Sequence, residues 1–169
     1  GAALQTGYRY ALRHGYDAVI QLDADGQHDP AGIPRLIEAL ERADVVVGSR
    51  FLGEGSYEPP FFRRLGMRLF GAIATILARQ RVTDPTSGFQ AISREALRFY
   101  ANERYPADFP DADVLAMGVR SGLRLVELPV TMRASPPGKS MHAGVLKPLY
   151  YVLRMSLALA LVPLRSEKR

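Results

Sequence analysis

The order of apolar and polar positions along the chain predicts alternating helices and strands. Two short apolar runs, AVIQL at 18–22 and ADVVVGSR at 43–50, have the length of buried strands, and the segment between them shows helical spacing. A strand, a helix and a second strand in this order predict a right-handed crossover and a parallel pair of strands. The first 15 residues also show helical spacing, so we expect a helix before the first strand.

The rest of the pattern continues this alternation. Residues 61–80 predict a long helix, DPTSGFQAIS at 84–93 predicts a turn that opens into a strand, and LRLVELPVTM at 123–132 predicts a strand, a proline break and a second strand. Another helix is predicted near residue 111, where acidic residues form a capping pattern. We therefore predict an α/β fold with a mixed, mainly parallel sheet flanked by helices.

The C-terminal segment is strongly apolar but is interrupted by polar positions. Lys147, Pro148 and Arg154 break the apolar run, and a membrane-spanning helix needs about 20 predominantly apolar residues. Two interpretations stay open: an amphipathic helix that lies on a membrane surface or a partner, and a helix that packs on this domain's own core. We divide the chain into a main domain at 1–143 and a C-terminal helix with a basic tail at 144–169.

The amino-acid composition limits the kinds of site and partner that the chain can have. The 169 residues are enough for one domain, and the absence of cysteine from the sequence excludes disulfides, thiolate metal sites and cysteine nucleophiles. The formal net charge of +5 favours an anionic partner such as a phosphate, a nucleotide or an acidic membrane surface, although a solvated basic tail accounts for the same charge. The sequence shows no secretory signal, so we expect a cytoplasmic protein.

A crowded acidic loop, LDADGQHDP at 22–30, follows the first predicted strand. Asp23, Asp25 and Gln27 alternate in it, and their oxygen-bearing side chains form a partial site for a hard cation such as Mg²⁺ or Mn²⁺. A turn with a helix cap accounts for Asp25 and Asp29, but it leaves the spacing of the three side chains unexplained. An EF-hand is excluded because a strand precedes the loop and no glutamate stands at its twelfth position.

Five segments in order resemble the landmarks of a known enzyme family. They are LDADGQHDP, ADVVVGSR, DPTSGF, LVELPV and GKS, and together they extend over most of the chain. This order resembles glycosyltransferase family 2, in particular its dolichyl-phosphate mannose synthase-like branch of polyprenyl-phosphate glycosyltransferases. The resemblance implies a GT-A-like, Rossmann-like fold, a divalent metal, a nucleotide-diphosphate sugar donor, inversion at the anomeric carbon and a polyprenyl-phosphate acceptor. It also implies a peripheral location at the inner face of the cell membrane, with no role for nucleic acid.

The resemblance implies roles for individual residues as well. Asp23 and Asp25 match the family's DxD motif, in which Asp25 also takes part in catalysis, and Gln27 matches a further metal-site position. Arg50 is expected near the diphosphate. Two segments match the family's acceptor side, a turn and an acidic pair. The residues of the turn are Asp84, Thr86, Ser87, Gly88 and Phe89, and the pair is Asp111 and Asp113. Because an acceptor phosphate is already nucleophilic, Asp84 and the acidic pair are expected to position charge more than to remove a proton.

Without the family, each of these residues has a plainer interpretation. Arg50 is then an ordinary arginine after a strand, DPTSG at 84–88 is a good turn, and Asp111 or Asp113 caps a helix. These interpretations stay open at this point.

The sequence departs from the family pattern in two places. The family's first strands, which bind the base and ribose, have no counterpart before Gly1, so the chain resembles an N-terminally truncated member. In MRASPPGKSMH, Ser135 stands where the family tends to carry an arginine. Arg133, Lys139 and Ser140 are still expected to contact substrate phosphate, and the alternative is a basic surface loop.

Two other functions remain open. An apolar strand that ends in DxDG also resembles haloacid-dehalogenase-type phosphatases, in which the first aspartate is a nucleophile and the second a general acid. Those enzymes need a downstream lysine and an acidic pair that DPTSGF does not provide. The other alternative is an inactive truncated domain that serves as a binding module through its C-terminal helix.

Overall fold

A four-stranded sheet with helices on both faces forms the framework of the molecule. The structure, a computed structural model, describes residues 1–53, 61–102, 105–106, 110–133 and 146–165. Its elements in chain order are α1 (Ala2–Arg13), β1 (Ala18–Gln21), a 3-10 turn (Pro30–Gly32), α2 (Ile33–Ala39), β2 (Val45–Ser49), α3 (Phe61–Ala78), β3 (Gln90–Ser93), α4 (Arg94–Tyr100), α5 (Ala112–Arg120), β4 (Leu125–Pro129) and α6 (Leu146–Arg165).

The strand order in the sheet is β1-β3-β2-β4. β3 pairs antiparallel with both β1 and β2, and β4 pairs parallel with β2. β1 and β2 therefore run in the same direction, as predicted, but β3 lies between them. The mixed α/β sheet flanked by helices is confirmed, whereas the expected direct β1–β2 pair and the parallel majority are corrected: among the described strands, one of the three pairings is parallel.

The position of β3 follows from the turn that precedes it. The DPTSG turn enters the sheet at the edge where β1 and β2 end, so the strand after it must run back against both neighbours. The start of β3 thus lies beside the carboxyl ends of β1 and β2. This arrangement brings two loops that are distant in sequence to one edge of the sheet.

Alternating side chains of β2 supply both halves of the core. Val45 and Val47 belong to a large apolar cluster with α1, α3, α4, α5 and α6, while Val46 belongs to a smaller cluster with α2. β3 divides in the same way, with Ile92 in the large cluster and Ala91 in the small one. Both faces of β2 are buried, which explains its continuous apolar run Val45–Val47.

Several predicted boundaries agree with the structure. The long helix of 61–80 appears as α3, and Asp29 caps the turn at Pro30 by accepting the Ala31 N–H at 3.2 Å. The second strand predicted after the proline break is corrected, because β4 ends at Pro129 and Met132 forms only an isolated antiparallel bridge with His28.

The C-terminal helix α6 packs on the domain through one face. Met155, Leu159 and Val162 are buried in the large cluster, and the helix contacts α5 and α3. Leu153 and Leu157 lie on its other side and remain 63% exposed. The contacts favour the interpretation in which α6 docks on this domain's own core. No helix within the described residues is long and apolar enough to cross a membrane.

Candidate functional site

The acidic loop after β1 is held in a defined shape by its own backbone and by the segment after β4. Gly26 adopts a φ of +78°, which glycine tolerates, and Asp25 Oδ1 accepts the Gln27 N–H at 2.9 Å to form a tight turn. Gln27 and Arg133 exchange two hydrogen bonds: Arg133 N–H donates to the Gln27 carbonyl at 2.8 Å, and the Gln27 side-chain amide donates to the Arg133 carbonyl at 3.3 Å. The loop is therefore held at Gln27 by the segment after β4.

Asp23 is the predicted metal ligand whose surroundings are best defined. Its side chain is 61% exposed, and His28 Nε2 lies 3.4 Å from its Oδ2. A hydrogen bond from His28 is the main cause that lowers the pKa of the Asp23 carboxyl; partial burial opposes it, and electrostatic attraction from His28 and Arg50 adds to the lowering. The carboxylate is therefore ionised and open to solvent at neutral pH.

The DPTSGF turn lies directly against Asp23. A Cβ placed on Gly88 would come within 2.6 Å of both Asp23 carboxylate oxygens, so this position accommodates only glycine unless Asp23 moves. Ser87 is buried and donates from Oγ to the Gly48 carbonyl at 2.7 Å, which ties the turn to β2. The structure therefore brings together two motifs that lie far apart in the sequence.

Arg50 and Asp84 form a buried ion pair at the same edge. The Asp84 carboxylate is fully buried and accepts Nε of Arg50 at 2.6 Å, a terminal guanidinium nitrogen at 2.5 Å and the Arg50 backbone N–H at 3.0 Å. The guanidinium also donates to Thr86 Oγ1 at 2.9 Å. Such charge-assisted bidentate contacts fix the side chain. Asp84 thus holds Arg50 and the turn in place.

Glu127 supports this ion pair from β4. Its carboxylate accepts the backbone N–H and the hydroxyl of Thr83, each at 2.8 Å, and the backbone N–H of Asp84 at 2.8 Å. The Thr83 hydroxyl is also 2.7 Å from the hydroxyl of Ser49, the last residue of β2. A chain of hydrogen bonds therefore connects β4, the turn and the end of β2.

The predicted acidic pair lies at the start of α5. Asp113 is buried, and its Oδ1 accepts the Asp111 backbone N–H at 3.3 Å, while Asp111 is partly exposed. α5 packs against α3 and α6, so the pair belongs to the helical layer of the domain. Asp111 is the N-cap residue of α5 without a side-chain cap hydrogen bond, and Asp113 lies in the first turn and accepts the N–H of that cap residue. The acceptor role of the pair stays a prediction.

The basic residues after β4 were predicted to contact phosphate. Arg133 has a side chain that is 65% exposed and lies 3.5 Å from Asp29 Oδ1, at the rim of the acidic loop. Lys139 and Ser140 lie outside the described residues.

Two residues of this edge were not singled out from the sequence. His28 stands inside the quoted acidic motif, but its burial against Phe89 is a tertiary feature with no local signal. Glu127 does have a signal, because it is a lone charge in the apolar segment LVELP. A carboxylate within a strand that is otherwise apolar indicates specific hydrogen-bond partners.

The donor set of the acidic loop suits a hard divalent cation. Asp23 and Asp25 offer carboxylate oxygens, and Gln27 offers an amide oxygen, which are the ligand types of Mg²⁺ and Mn²⁺. Mg²⁺ is commonly held by one or two carboxylates together with substrate phosphates. Within the described residues, no group of three or more histidine and acidic side chains forms a metal cluster. The loop therefore fits a cation that substrate would help to bind.

Comparisons with known proteins give a consistent result. The family profile described as Glycosyl transferase family 2 matches residues 1–100. Undecaprenyl-phosphate mannosyltransferase of Micrococcus luteus is 34% identical over 148 residues, covering 85% of this chain and 60% of that protein. Polyprenol monophosphomannose synthase of Mycolicibacterium smegmatis is 29% identical over 153 residues, covering 85% and 56%. Dolichol-phosphate mannosyltransferase of Pyrococcus furiosus is 35% identical over 144 residues, covering 82% and 39%.

The chain thus spans between 39% and 60% of the length of these three relatives. The resemblance read from the five sequence segments is confirmed, and the family match decides against the phosphatase alternative.

Proposed function

Because this chain belongs to glycosyltransferase family 2, we propose that it transfers a sugar from a nucleotide-diphosphate donor to a polyprenyl-phosphate acceptor. Relatives named as mannosyltransferases of undecaprenyl phosphate and dolichol phosphate support the acceptor class. The observation that carries the proposal is the contact between the exposed Asp23 carboxylate and Gly88 of the DPTSGF turn. This contact puts the proposed donor and acceptor motifs side by side at one edge of the sheet.

On the donor side, Asp23, Asp25 and Gln27 would hold Mg²⁺ or Mn²⁺. When bound, the cation offsets the negative charge of the departing diphosphate. Arg50 adds fixed positive charge close to Asp23, since it contributes to the lowered pKa of that carboxyl. Its side chain is already engaged with Asp84 and Thr86, so it acts through its charge and its fixed position.

In the transfer step, an oxygen of the acceptor phosphate forms a bond to the anomeric carbon of the sugar. The bond between that carbon and the donor diphosphate breaks, and the nucleoside diphosphate leaves with the electron pair. The geometry at the anomeric carbon is inverted, and no proton needs to be removed from a phosphate that is already ionised. The task of the chain is therefore positioning and charge compensation.

In this proposal, some carboxylates act at the donor diphosphate and the others organise the acceptor side. Asp25 acts with Asp23 at the donor diphosphate. Asp84 positions Arg50 and the acceptor turn, because its own oxygens are buried and engaged. Asp111 faces the acceptor, and Asp113 fixes its backbone at the start of α5.

Calorimetric titration of the chain with UDP and with GDP, each with and without Mn²⁺, tests the proposal. We expect one of the nucleotides to bind in a Mn²⁺-dependent manner, and the Asp23→Asn variant to lose this binding. Asp17→Asn is the matched control, because Asp17 is an exposed aspartate whose only described contact is with Arg94 on the opposite edge. Nucleotide binding that is independent of Mn²⁺ or equal in the two variants would overturn the proposal.

We also propose that the chain docks on a lipid surface through α3 and α6. These helices contact each other, and both carry large exposed apolar side chains: Leu69, Ile76, Leu153 and Leu157 are 51% to 74% exposed. The net charge of +5 favours an anionic surface. Apolar side chains beside basic ones are typical of helices that lie in the interface of a bilayer.

Sedimentation with vesicles tests this surface. We expect binding to vesicles that contain an anionic phospholipid, and strong loss of binding in the double variant Leu153→Ser, Leu157→Ser. Ile37→Ser is the control, because Ile37 is an exposed apolar residue on α2, away from α3 and α6. Equal binding of the control and the double variant would contradict the proposal.

A further inference from the structure

We infer that His28 is a positioning residue that orients the Asp23 carboxylate by donating a hydrogen bond from Nε2 to Oδ2. The two atoms are 3.4 Å apart. The inference deepens the proposed function, because it rests on the role of Asp23 as a ligand of the divalent cation.

The His28 ring is fixed in place by its surroundings. Only 4% of the residue is exposed, and the ring packs on Phe89 with centroids 5.1 Å apart. Its backbone forms an antiparallel bridge with Met132. Phe89 is itself fully buried in the small core cluster. The ring is thus anchored to the core, while the carboxylate that it touches is mostly in solvent.

The contact determines which nitrogen of the ring carries hydrogen. An ionised carboxylate only accepts hydrogen bonds, so Nε2 must be the donor. Nδ1 is buried and has no hydrogen-bond partner among the residues that the structure describes. A neutral His28 therefore carries its hydrogen on Nε2. This assignment requires no metal and can be examined on the chain alone.

The hydrogen bond limits the orientations open to Asp23. Oδ2 is engaged by His28, and the carboxylate also rests against Gly88. Restraining a ligand before the cation arrives reduces the entropy lost on binding. Partners that hydrogen-bond to metal ligands typically change metal affinity by about 10-fold to 100-fold when they are removed.

Titration of the full chain with Mn²⁺ alone, followed by the loss of the free-ion EPR signal, measures this effect. His28→Phe keeps a buried ring and removes the donor, and we expect the dissociation constant for Mn²⁺ to rise by about 10-fold or more. His28→Gln restores a side-chain N–H donor, and we expect it to recover most of the affinity. His14→Gln is the matched control, because His14 is an exposed histidine at the end of α1 and should leave the affinity unchanged.

The outcomes separate this inference from the proposed function. If the wild-type chain binds Mn²⁺ and His28→Phe binds it equally well while folded, the inference fails and the metal site stands. Reduced binding in both His28→Phe and His28→Gln would mean that a side-chain N–H donor at this position does not support Mn²⁺ binding, which also overturns the inference. A wild-type chain that does not bind Mn²⁺ removes the metal site, and the inference falls with it.

Nitrogen NMR of the histidine rings provides a second measurement that needs no substitution of the buried His28. Without metal, we expect Nε2 of His28 to carry hydrogen, as its contact with Asp23 Oδ2 requires. Asp23→Asn should change the Nε2 signal of His28 and leave that of His14 in place. Hydrogen on Nδ1, or a His28 signal that is insensitive to Asp23→Asn, would overturn the inference.

Discussion

Asp23 and Asp84 are the same residue type at the same edge of the sheet, yet they occupy opposite environments. The side chain of Asp23 is 61% exposed, whereas that of Asp84 is fully buried and holds the guanidinium of Arg50. A buried carboxylate whose oxygens are all engaged fixes the position of its partners and is closed to substrate. An exposed carboxylate with one fixed neighbour remains open to a ligand. Asp84 is therefore a structural residue, whereas the Asp23 carboxylate remains accessible to a ligand.

The largest expected effect comes from breaking the buried pair. Asp84→Ala leaves the Arg50 charge buried without its carboxylate, and removal of one partner of a buried pair destabilises proteins by about 3–5 kcal/mol. Urea unfolding followed by circular dichroism measures the change. Asp23→Ala is the direct comparison and should change the free energy of unfolding by only about 0.5 kcal/mol. Equal losses of unfolding free energy in Asp84→Ala and Asp23→Ala would show that the two aspartates do not differ in their structural role.

A smaller loss is expected at Glu127. Glu127→Gln keeps one acceptor oxygen but presents an amide NH₂ to a donor at Thr83 or Asp84. An unsatisfied buried donor costs about 1–3 kcal/mol, so we expect a loss of that size in the same unfolding measurement. Glu95→Gln provides the control, because Glu95 pairs with Arg98 on the surface of α4 and surface pairs contribute little. If the control lost as much stability, the support of the turn by Glu127 would be disproved.

Substitution of Gly88 tests the role of the exposed Asp23 carboxylate. A methyl group there would meet the Asp23 carboxylate, which can swing into solvent, so Gly88→Ala should cost less than about 1 kcal/mol of stability. Its effect on Mn²⁺ affinity should be larger, because the ligand itself is displaced. Gly7→Ala is the control, because open space surrounds Gly7 in α1. A Gly88→Ala chain with normal Mn²⁺ binding would argue against Asp23 as a ligand.

The smallest effect is expected at a third aspartate of intermediate exposure. The side chain of Asp44 is 15% exposed, and hydrogen bonds from Arg124 are the main cause that lowers its pKa below the usual 3.8. Because the folded pKa is depressed, the pair stabilises the fold above pH 3.8 and this contribution is lost as the pH falls through the folded pKa. Asp44→Asn should lower the melting temperature at pH 7, and this difference should shrink as the pH falls through the folded pKa of Asp44. A pH-independent difference would contradict this assignment.

The sequence predicted which segments meet at the candidate site, but not the burial of each side chain there. Strand ends and the order of the five segments predicted that the acidic loop and the VGSR segment would lie together, since these features are local. The antiparallel insertion of β3 was missed because nothing in the QAIS sequence distinguishes a parallel from an antiparallel strand. The burial of Asp84 was hidden for a similar reason: a turn sequence does not show that Arg50 and Glu127 will cover it.

The antiparallel strand β3 also has a consequence for folding kinetics. Its pairing with β1 is long-range, and so are the contacts of the turn that precedes it: Arg50 meets Asp84 across 34 residues, and Thr83 meets Glu127 across 44. Contacts of large sequence separation form only after extensive loop closure, and they slow folding. We therefore expect hydrogen-exchange protection at Arg50 and Asp84 to develop after that of the local helices α3 and α5. The edge of the sheet that holds the candidate site would then be among the last parts of the domain to form during refolding.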